Sequence, residues 1–358
     1  MTETVATLDH VRDHVSRALT GFLDRQRALV AGIADELLPV VDAAQDALAG
    51  GKRLRAAFCY WGWRGAGGPD SVAILTAAAA LELLHASALV HDDVLDDSDT
   101  RRGRPTVHKV FSARHTAEGW RGSADGFGEG AAILIGDLLL VWTDEMLHTS
   151  GLPAAALNRG RPVLDLMRTE LMTGQYLDVL EQVAGHGTVE GALRVVRFKT
   201  AKYTIERPLH LGAALAGPDA ADPALARSYT GYGMPLGVAF QLRDDILGVF
   251  GDPAQTGKPA GDDIREGKRT VLAAIARQRA TAAQADAISA LLGNPAIDPA
   301  GVAEFRDLLI ETGALAESEL MIDRYVSEAL AALETAPITA AAKAALAELA
   351  IASTARTH

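Results

Sequence analysis

One cysteine, Cys59, stands in 358 residues. An intramolecular disulfide is therefore excluded, and a reducing cytoplasm is the expected setting. Aromatic residues make up 5% of the chain, and no segment alternates apolar and polar residues at strand period. No basic block occurs, and the net charge is −12, so nucleic acid is not the expected partner. An anionic substrate would have to be met by locally placed lysine, arginine or metal, against a repelling overall field. No stable membrane anchor is expected. Residues 71–90 are apolar but carry Glu82 and His85, and residues 131–142 are short and cut by Asp137. The opening MTETVATLDHVRDH mixes acids and bases without an apolar core, unlike a signal peptide. No repeat of solenoid period is present.

What is there favours helix. Hydrophobic residues make up 49%, rich in alanine and leucine, enough for one large all-α domain over residues 1–358. Periodicity predicts an amphipathic helix over 8–38, closed near Pro39, and a short one to Ala49. Long central helices are expected over 71–97 and 229–249. Between them come a polar, glycine-rich loop over 111–130 and helices over 131–148, 163–183 and 193–216. Gly151, Pro153, Gly160 and Pro162 punctuate one connection. Residues 271–358 read as alanine-rich scaffold helices, broken at 293–299 and near Pro337.

The chemistry concentrates in residues 83–108, LLHASALVHDDVLDDSDTRRGRPTVH. At helical spacing Asp92 and Asp96 lie about 40° apart around the axis, with Asp93 about 60° from Asp96. Three carboxylates on one side repel unless a cation sits among them, and all-oxygen ligation suits Mg²⁺. Arg101 and Arg102 follow, and guanidinium groups match phosphate oxygens. Acid for metal and arginine for phosphate point to a magnesium-bound polyphosphate. Solvated charges at a helix end would be the plain alternative, but the layout recurs about 150 residues later. Asp244 and Asp245 close the second central helix one turn after Gln241. Lys258, Asp262, Asp263, Lys268 and Arg269 follow. Two such ends facing one another would hold metal between them. Elsewhere, Gly50-Gly51 precede Lys52, Arg53 and Arg55, a candidate clamp for a second phosphate group. His85 lies two turns before Asp92 on the same face. Lys199, Thr200 and Lys202 interrupt an apolar helix and need partners.

Taken together these residues resemble the trans-type isoprenyl diphosphate synthases, most closely bacterial geranylgeranyl diphosphate synthases. The matching segments are GGKRLR (50–55), ELLHASALVHDDVLDDSDTRRGRPTVH (82–108), GQYLD (174–178), KTAKYT (199–204), QLRDDILGVFGD (241–252) and TGKPAGDDIREGKRT (256–270), in family order. The resemblance implies an all-α isoprenoid-synthase bundle around a deep central cavity, working as a homodimer. It implies condensation of isopentenyl diphosphate with an allylic diphosphate (dimethylallyl, geranyl or farnesyl), with three Mg²⁺ ions per active site. By position, Asp92, Asp93, Asp96 and Asp244 would bind metal. Arg101, Lys199 and Lys258 would contact the allylic diphosphate, and Lys268 is grouped with the substrate-binding cations. Lys52, Arg55, His85 and Arg102 would hold isopentenyl diphosphate, with Thr200 and Gln241 beside the reacting carbons. Leu84, Ser87 and Ala88, upstream of Asp92, would set product length. Small Ser87 and Ala88 with bulkier Leu84 suggest twenty carbons.

Two residues depart from the family pattern. Gly248 stands where the second motif has its third acid, and Ala56 where a proline is usual. Three other readings compete. A class I terpene cyclase would leave Lys52, Arg55 and His85 idle. A di-iron bundle could use Glu82-x-x-His85 and Glu145-x-x-His148, but leaves the aspartates and RRGRP unexplained. A silent partner subunit would not need intact first-motif acids.

Overall fold

The computed structural model describes residues 8–184, 187–217, 223–251 and 261–354. In chain order the helices are α1 (Leu8–Ala31), α2 (Leu38–Leu48), α3 (Leu54–Gly65), α4 (Val72–Leu95), α5 (Val107–Ala117), α6 (Ala124–His148), α7 (Ala154–Ala184) and α8 (Val189–Val195). A π-helical segment (Val196–Glu206), α9 (Arg207–Ala216), α10 (Pro223–Phe250) and the one-turn α11 (Asp262–Arg265) follow. The chain continues through α12 (Val271–Arg279), α13 (Ala282–Leu291), α14 (Pro299–Glu311), α15 (Ala314–Thr335) and α16 (Ala340–Thr354). Among the described residues the only strands are Thr100–Arg101 and Arg104–Pro105, a two-residue antiparallel ribbon inside the RRGRP turn.

α4 is the axis of the first half. Ser71 caps it by accepting from the Ile74 N–H at 3.4 Å. From Ala77 to Leu81 it is apolar and buried on every side, as suits a helix covered all round, and α1, α3 and α6 surround it. By length and composition α4 could cross a membrane, but most of its apolar stretch is buried inside the fold. Cys59 is buried in α3, and burial pushes its thiol up to about 12, far from reactive. α10 is the second axis, packed on α15 and on the π-helical segment. Buried apolar residues form two clusters, one around α4 and one between α10 and α12–α15.

The π-helical segment carries Lys199, Thr200 and Lys202, and glycines let it approach its neighbours. A Cβ on Gly174 of α7 would lie 2.6 Å from the Lys199 nitrogen, and one on Gly237 of α10 would lie 2.4 Å from the Ala201 Cα. Both separations are impossible for any larger residue. Short π stretches are rare and frequently mark functional sites.

Several local expectations are corrected. Pro39 begins α2 rather than closing α1, because its fixed φ and missing N–H suit the first turn. The loop expected over 111–130 is mostly helix. α5 runs to Ala117, and α6 starts at Ala124 with the Ser123 hydroxyl accepting from the Gly126 N–H. Gly119 and Gly122 take positive φ in the short connection, whereas Gly128 serves packing: a Cβ there would meet the His108 carbonyl oxygen at 2.2 Å. Gly160 and Pro162 lie inside α7, and Leu215 of α9 fills the space beside Gly160. The helix expected over 193–216 is three pieces joined end to end.

Candidate active site

Asp92 and Asp93 lie in the last turn of α4, and Asp96 is its C-cap. A helix C-terminus repels negative charge, so the three carboxylates depend on cations brought from elsewhere. Lys199 of the π-helical segment donates to Asp92 at 3.1 Å and to Asp178 of α7 at 2.6 Å. The Gln175 amide donates to Asp92 at 2.7 Å. Arg101 presents Nε and Nη2 to Asp93 Oδ1, each at 2.6 Å, and stands 3.7 Å from Asp92. Lys268 lies 3.3 Å from Asp96, 3.4 Å from Asp263 and 2.7 Å from Glu266. The ammonium of Lys268 thus ties the acidic end of α4 to the segment that follows α10.

The end of α10 completes this half. The Thr200 hydroxyl donates to Gln241 Oε1 at 2.7 Å, and Gln241 Nε2 donates to Asp245 Oδ1 at 2.7 Å. Asp245 Oδ2 is buried without a hydrogen-bond partner, and Asp244 is half-buried beside it. At Gly248 a Cβ would fall 1.9 Å from Asp263 Oδ2. The volume that a side chain at 248 would enter is already held by the Asp263 carboxylate. An acid one turn beyond Asp244 on α10 is therefore replaced in space by an acid from α11.

The charges are strongly coupled. Burial opposes ionisation of Asp92, yet Lys199, Lys268 and Arg101 outweigh it and hold the carboxyl at about 2. Asp96 moves the opposite way, to about 6, chiefly through burial, with Lys268 opposing and Asp92 adding to the rise. Burial, followed by Asp263 and Asp244, lifts Asp245 to about 7. Lys268 is raised well above its usual value despite burial, by Asp263, Asp96 and Glu266. Carboxyls that resist ionising in the bare protein are suited to a further cation.

A second, basic cluster faces the same helix one to two turns earlier. Arg55 donates to the Thr204 hydroxyl at 2.9 Å and lies over the Tyr203 ring, 4.2 Å from its centroid. The Tyr203 hydroxyl is 3.1 Å from His85 Nδ1. Arg102 donates to the Ala49 carbonyl at 2.8 Å, with its guanidinium against Gly51. Lys52 reaches the Ala352 carbonyl at 3.1 Å. Burial, then the positive charges of Arg55, Arg102, Arg101 and Arg53, holds His85 well below its ordinary value, so the ring is neutral at pH 7.

The structure therefore supplies a cluster of acids interleaved with Lys199, Arg101 and Lys268, and a separate basic cluster, both served by α4. The Polyprenyl synthetase family matches residues 39–309. The chain belongs to the polyprenyl synthetase family. It is 33% identical to the geranylfarnesyl diphosphate synthase of Aeropyrum pernix, over 81% of this chain and 85% of that one. It is likewise 33% identical to the geranylgeranyl diphosphate synthase of Mycobacterium tuberculosis, over 92% and 89%. The crystal structure of geranylgeranyl pyrophosphate synthase from Corynebacterium glutamicum, complexed with isoprenyl diphosphate and magnesium, superposes with a TM-score of 0.92. It shares 44% identity and covers 99% of this chain and 100% of that one. The fold is the all-α isoprenoid-synthase fold, and this polyprenyl synthetase is a trans-prenyltransferase.

Of the residues singled out in the sequence, Asp92, Asp93, Asp96, Arg101, Lys199 and Lys268 fall in one ion-paired cluster, and Thr200 and Gln241 are bonded to one another and to Asp245 at the end of α10. Arg55, His85 and Arg102 belong to the basic cluster, whereas Lys52, three residues before Arg55, bonds to the Ala352 carbonyl of α16. Leu84 and Ser87 are fully buried and Ala88 half-buried on α4. Lys258 lies outside the described residues. Sequence reasoning missed Tyr203, Glu82 and Glu266 as site-shaping groups, and it gave Gln175 and Asp178 no role. Gln175 and Asp178 did carry a signal, as polar groups on an apolar helix face. The di-iron arrangement does not assemble: Glu82 is spent on Arg53 and the Ala56 N–H, and Glu145 on Gln26.

Proposed function

We propose that this polyprenyl synthetase condenses isopentenyl diphosphate with dimethylallyl, geranyl or farnesyl diphosphate to give an all-trans product, chiefly geranylgeranyl diphosphate. The observation that carries the reading is the pairing of two unlike anion sites along α4. One mixes carboxylates with cations, and the other is almost wholly cationic. A metal-bound diphosphate suits the first and a diphosphate without metal suits the second. A class I cyclase needs only the first.

The donor set fits Mg²⁺. It is all oxygen, Asp245 Oδ2 is buried without a hydrogen-bond partner, and Asp96 Oδ2 meets the Lys268 ammonium without a hydrogen bond. Among the described residues no three carboxylates converge closely enough to grip an ion unaided. Cations stand between them, so ligation requires these pairs to open. Asp92 and Asp96 from α4 and Asp244 from α10 would hold the ions, three in our reading. Asp93, buried under Arg101, serves chiefly to aim that guanidinium. The ions would neutralise charge developing on the leaving diphosphate.

The chain's own groups do the rest. Lys199, Arg101 and Lys258 bind the allylic diphosphate, and Lys268 joins them once released from Asp96. Lys52, Arg55, His85 and Arg102 hold isopentenyl diphosphate with its alkene toward the allylic carbon. Neutral His85 donates or accepts a hydrogen bond without adding to the charge. Thr200 and Gln241, bonded to one another, lie where the new carbon–carbon bond forms. Apolar residues around α4 keep water from the allylic cation, and the released diphosphate takes the proton. Ser87 and Ala88 leave room beneath Asp92 for a growing chain, and Leu84 one turn lower limits it.

Exposed apolar residues at helical spacing, Leu134 and Val141 on α6 and Tyr176, Leu180 and Val183 on α7, supply a face for a second copy. We read the enzyme as a cytoplasmic, single-domain homodimer. The test is incorporation of labelled isopentenyl diphosphate with Mg²⁺ and each primer in separate tubes. Chelator-sensitive twenty-carbon product is expected. Mainly fifteen-carbon or much longer product would overturn the assigned length, and no incorporation from folded protein would overturn the function.

A further inference from the structure

Arg53 has no part in the reaction proposed above, yet it sits at the centre of the basic loop in an unusual conformation. Its φ of 54° and ψ of 38° are left-handed, one residue beyond Lys52, which follows Gly50 and Gly51 with φ of 73° and 84°. An L side chain with a Cβ is disfavoured there, so something must hold it. The guanidinium turns inward, toward α4 and the end of α2. Nη2 donates to the Leu48 carbonyl at 2.7 Å, and Nη1 lies 3.6 Å from Glu82 Oε2. The Glu82 side chain is 4% exposed and the Arg53 side chain 11%. The other Glu82 oxygen accepts from the Ala56 N–H, in the first turn of α3, at 3.2 Å. One buried carboxylate on α4 therefore holds both the cap residue of α3 and a first-turn N–H of that helix.

Its place in the chain gives this pair leverage. Lys52 and Arg55 flank Arg53, and His85 lies one turn beyond Glu82 on α4. We propose that Arg53 and Glu82 form a buried latch that fixes Lys52 and Arg55 relative to His85, and so shapes the pocket that takes isopentenyl diphosphate. The inference rests on the function proposed above. Arg53 and Glu82 are positioning residues, since both face each other and the backbone. The latch also keeps a fourth cation from opening onto the ligand among Lys52, Arg55 and Arg102.

The test compares Arg53→Asn, Glu82→Gln and the double variant by steady-state kinetics at saturating Mg²⁺. Asparagine tolerates the left-handed backbone, and glutamine keeps an acceptor for the Ala56 N–H. Each single variant should raise KM for isopentenyl diphosphate by about tenfold, with kcat and the allylic KM within about twofold, on the order of one decade of affinity. The double variant should be no worse than the poorer single one, because one latch is lost once. Arg53→Lys should recover part of the loss. An unchanged KM, multiplicative effects in the double variant, or a lower KM in Glu82→Gln would each overturn the latch. A parallel rise in the allylic KM would mean general loosening and would also overturn it. Should Arg53→Asn not fold, Glu82→Gln alone decides by the same split. Parent enzyme that turns over without isopentenyl diphosphate would remove the functional reading itself.

Discussion

Gly248 offers a sharp test of how the acidic site is built. In Gly248→Ala the added methyl would lie 1.9 Å from Asp263 Oδ2 and 2.9 Å from its Cγ. The carboxylate must retreat by more than 1 Å, roughly, to reach ordinary van der Waals contact near 3.5 Å. Retreat draws it from Lys268, now 3.4 Å away. Overpacking of this kind costs about 1–3 kcal/mol. Alanine in place of glycine inside a helix returns about 0.5–1 kcal/mol. The net is a loss of about 1 kcal/mol, about 1 °C in Tm for a chain of this size. The sign should reverse in an Asp263→Ala background, where the obstruction is gone and the helical gain remains. Denaturant unfolding of the four proteins measures the cycle. Equal effects of Gly248→Ala in both backgrounds would refute the claim that Asp263 fills this space.

Other expectations follow from the same site. Lys268→Met leaves Asp96, Asp263 and Glu266 facing one another, at about 3 kcal/mol for a lost buried partner. Added Mg²⁺ should raise the Tm of this variant more than that of the parent. The pH dependence has a definite sign. Asp96 and Asp245 are lifted from an ordinary 3.8 to about 6 and about 7, so their stabilising contribution is complete below pH 3.8 and lost as pH rises through 6 and 7. Tm of metal-free Asp245→Asn should therefore gain on the parent between about pH 5 and 8. Asp92, held at about 2, acts oppositely: its contribution is present above 3.8 and lost as pH falls toward 2. Ala88→Phe should shorten the product toward fifteen carbons by chromatography, with isopentenyl diphosphate KM unchanged.

The parts legible in the sequence were those where charge interrupts an apolar helix. Asp92, Asp96, Asp244 and Lys199 stand out because a buried charge needs a partner, and the partners could be sought in the same chain. Periodicity located α4 and α10 for the same reason. Glycine was the misleading signal. At Gly128 and Gly160 it marks close packing, not a turn, and only the neighbouring helix reveals which. The π-helical segment has no sequence signature apart from its polar residues, since its extra residue per turn depends on Gly174 and Gly237 across the interface. The exchange of Gly248 for Asp263 was invisible because the two residues belong to different helices. The inward aim of Arg53 was equally hidden, since a run of cations reads as one clamp until each guanidinium is followed to its partner.

The central claim is that two diphosphates meet on α4. It is tested most directly by the rate of inorganic diphosphate release from geranyl diphosphate and Mg²⁺, measured with and without isopentenyl diphosphate. Release should be near zero with geranyl diphosphate alone and rise to saturation as isopentenyl diphosphate is added. Release at the same rate in its absence would show that the basic cluster of Lys52, Arg55, His85 and Arg102 plays no part in turnover, and would contradict the account.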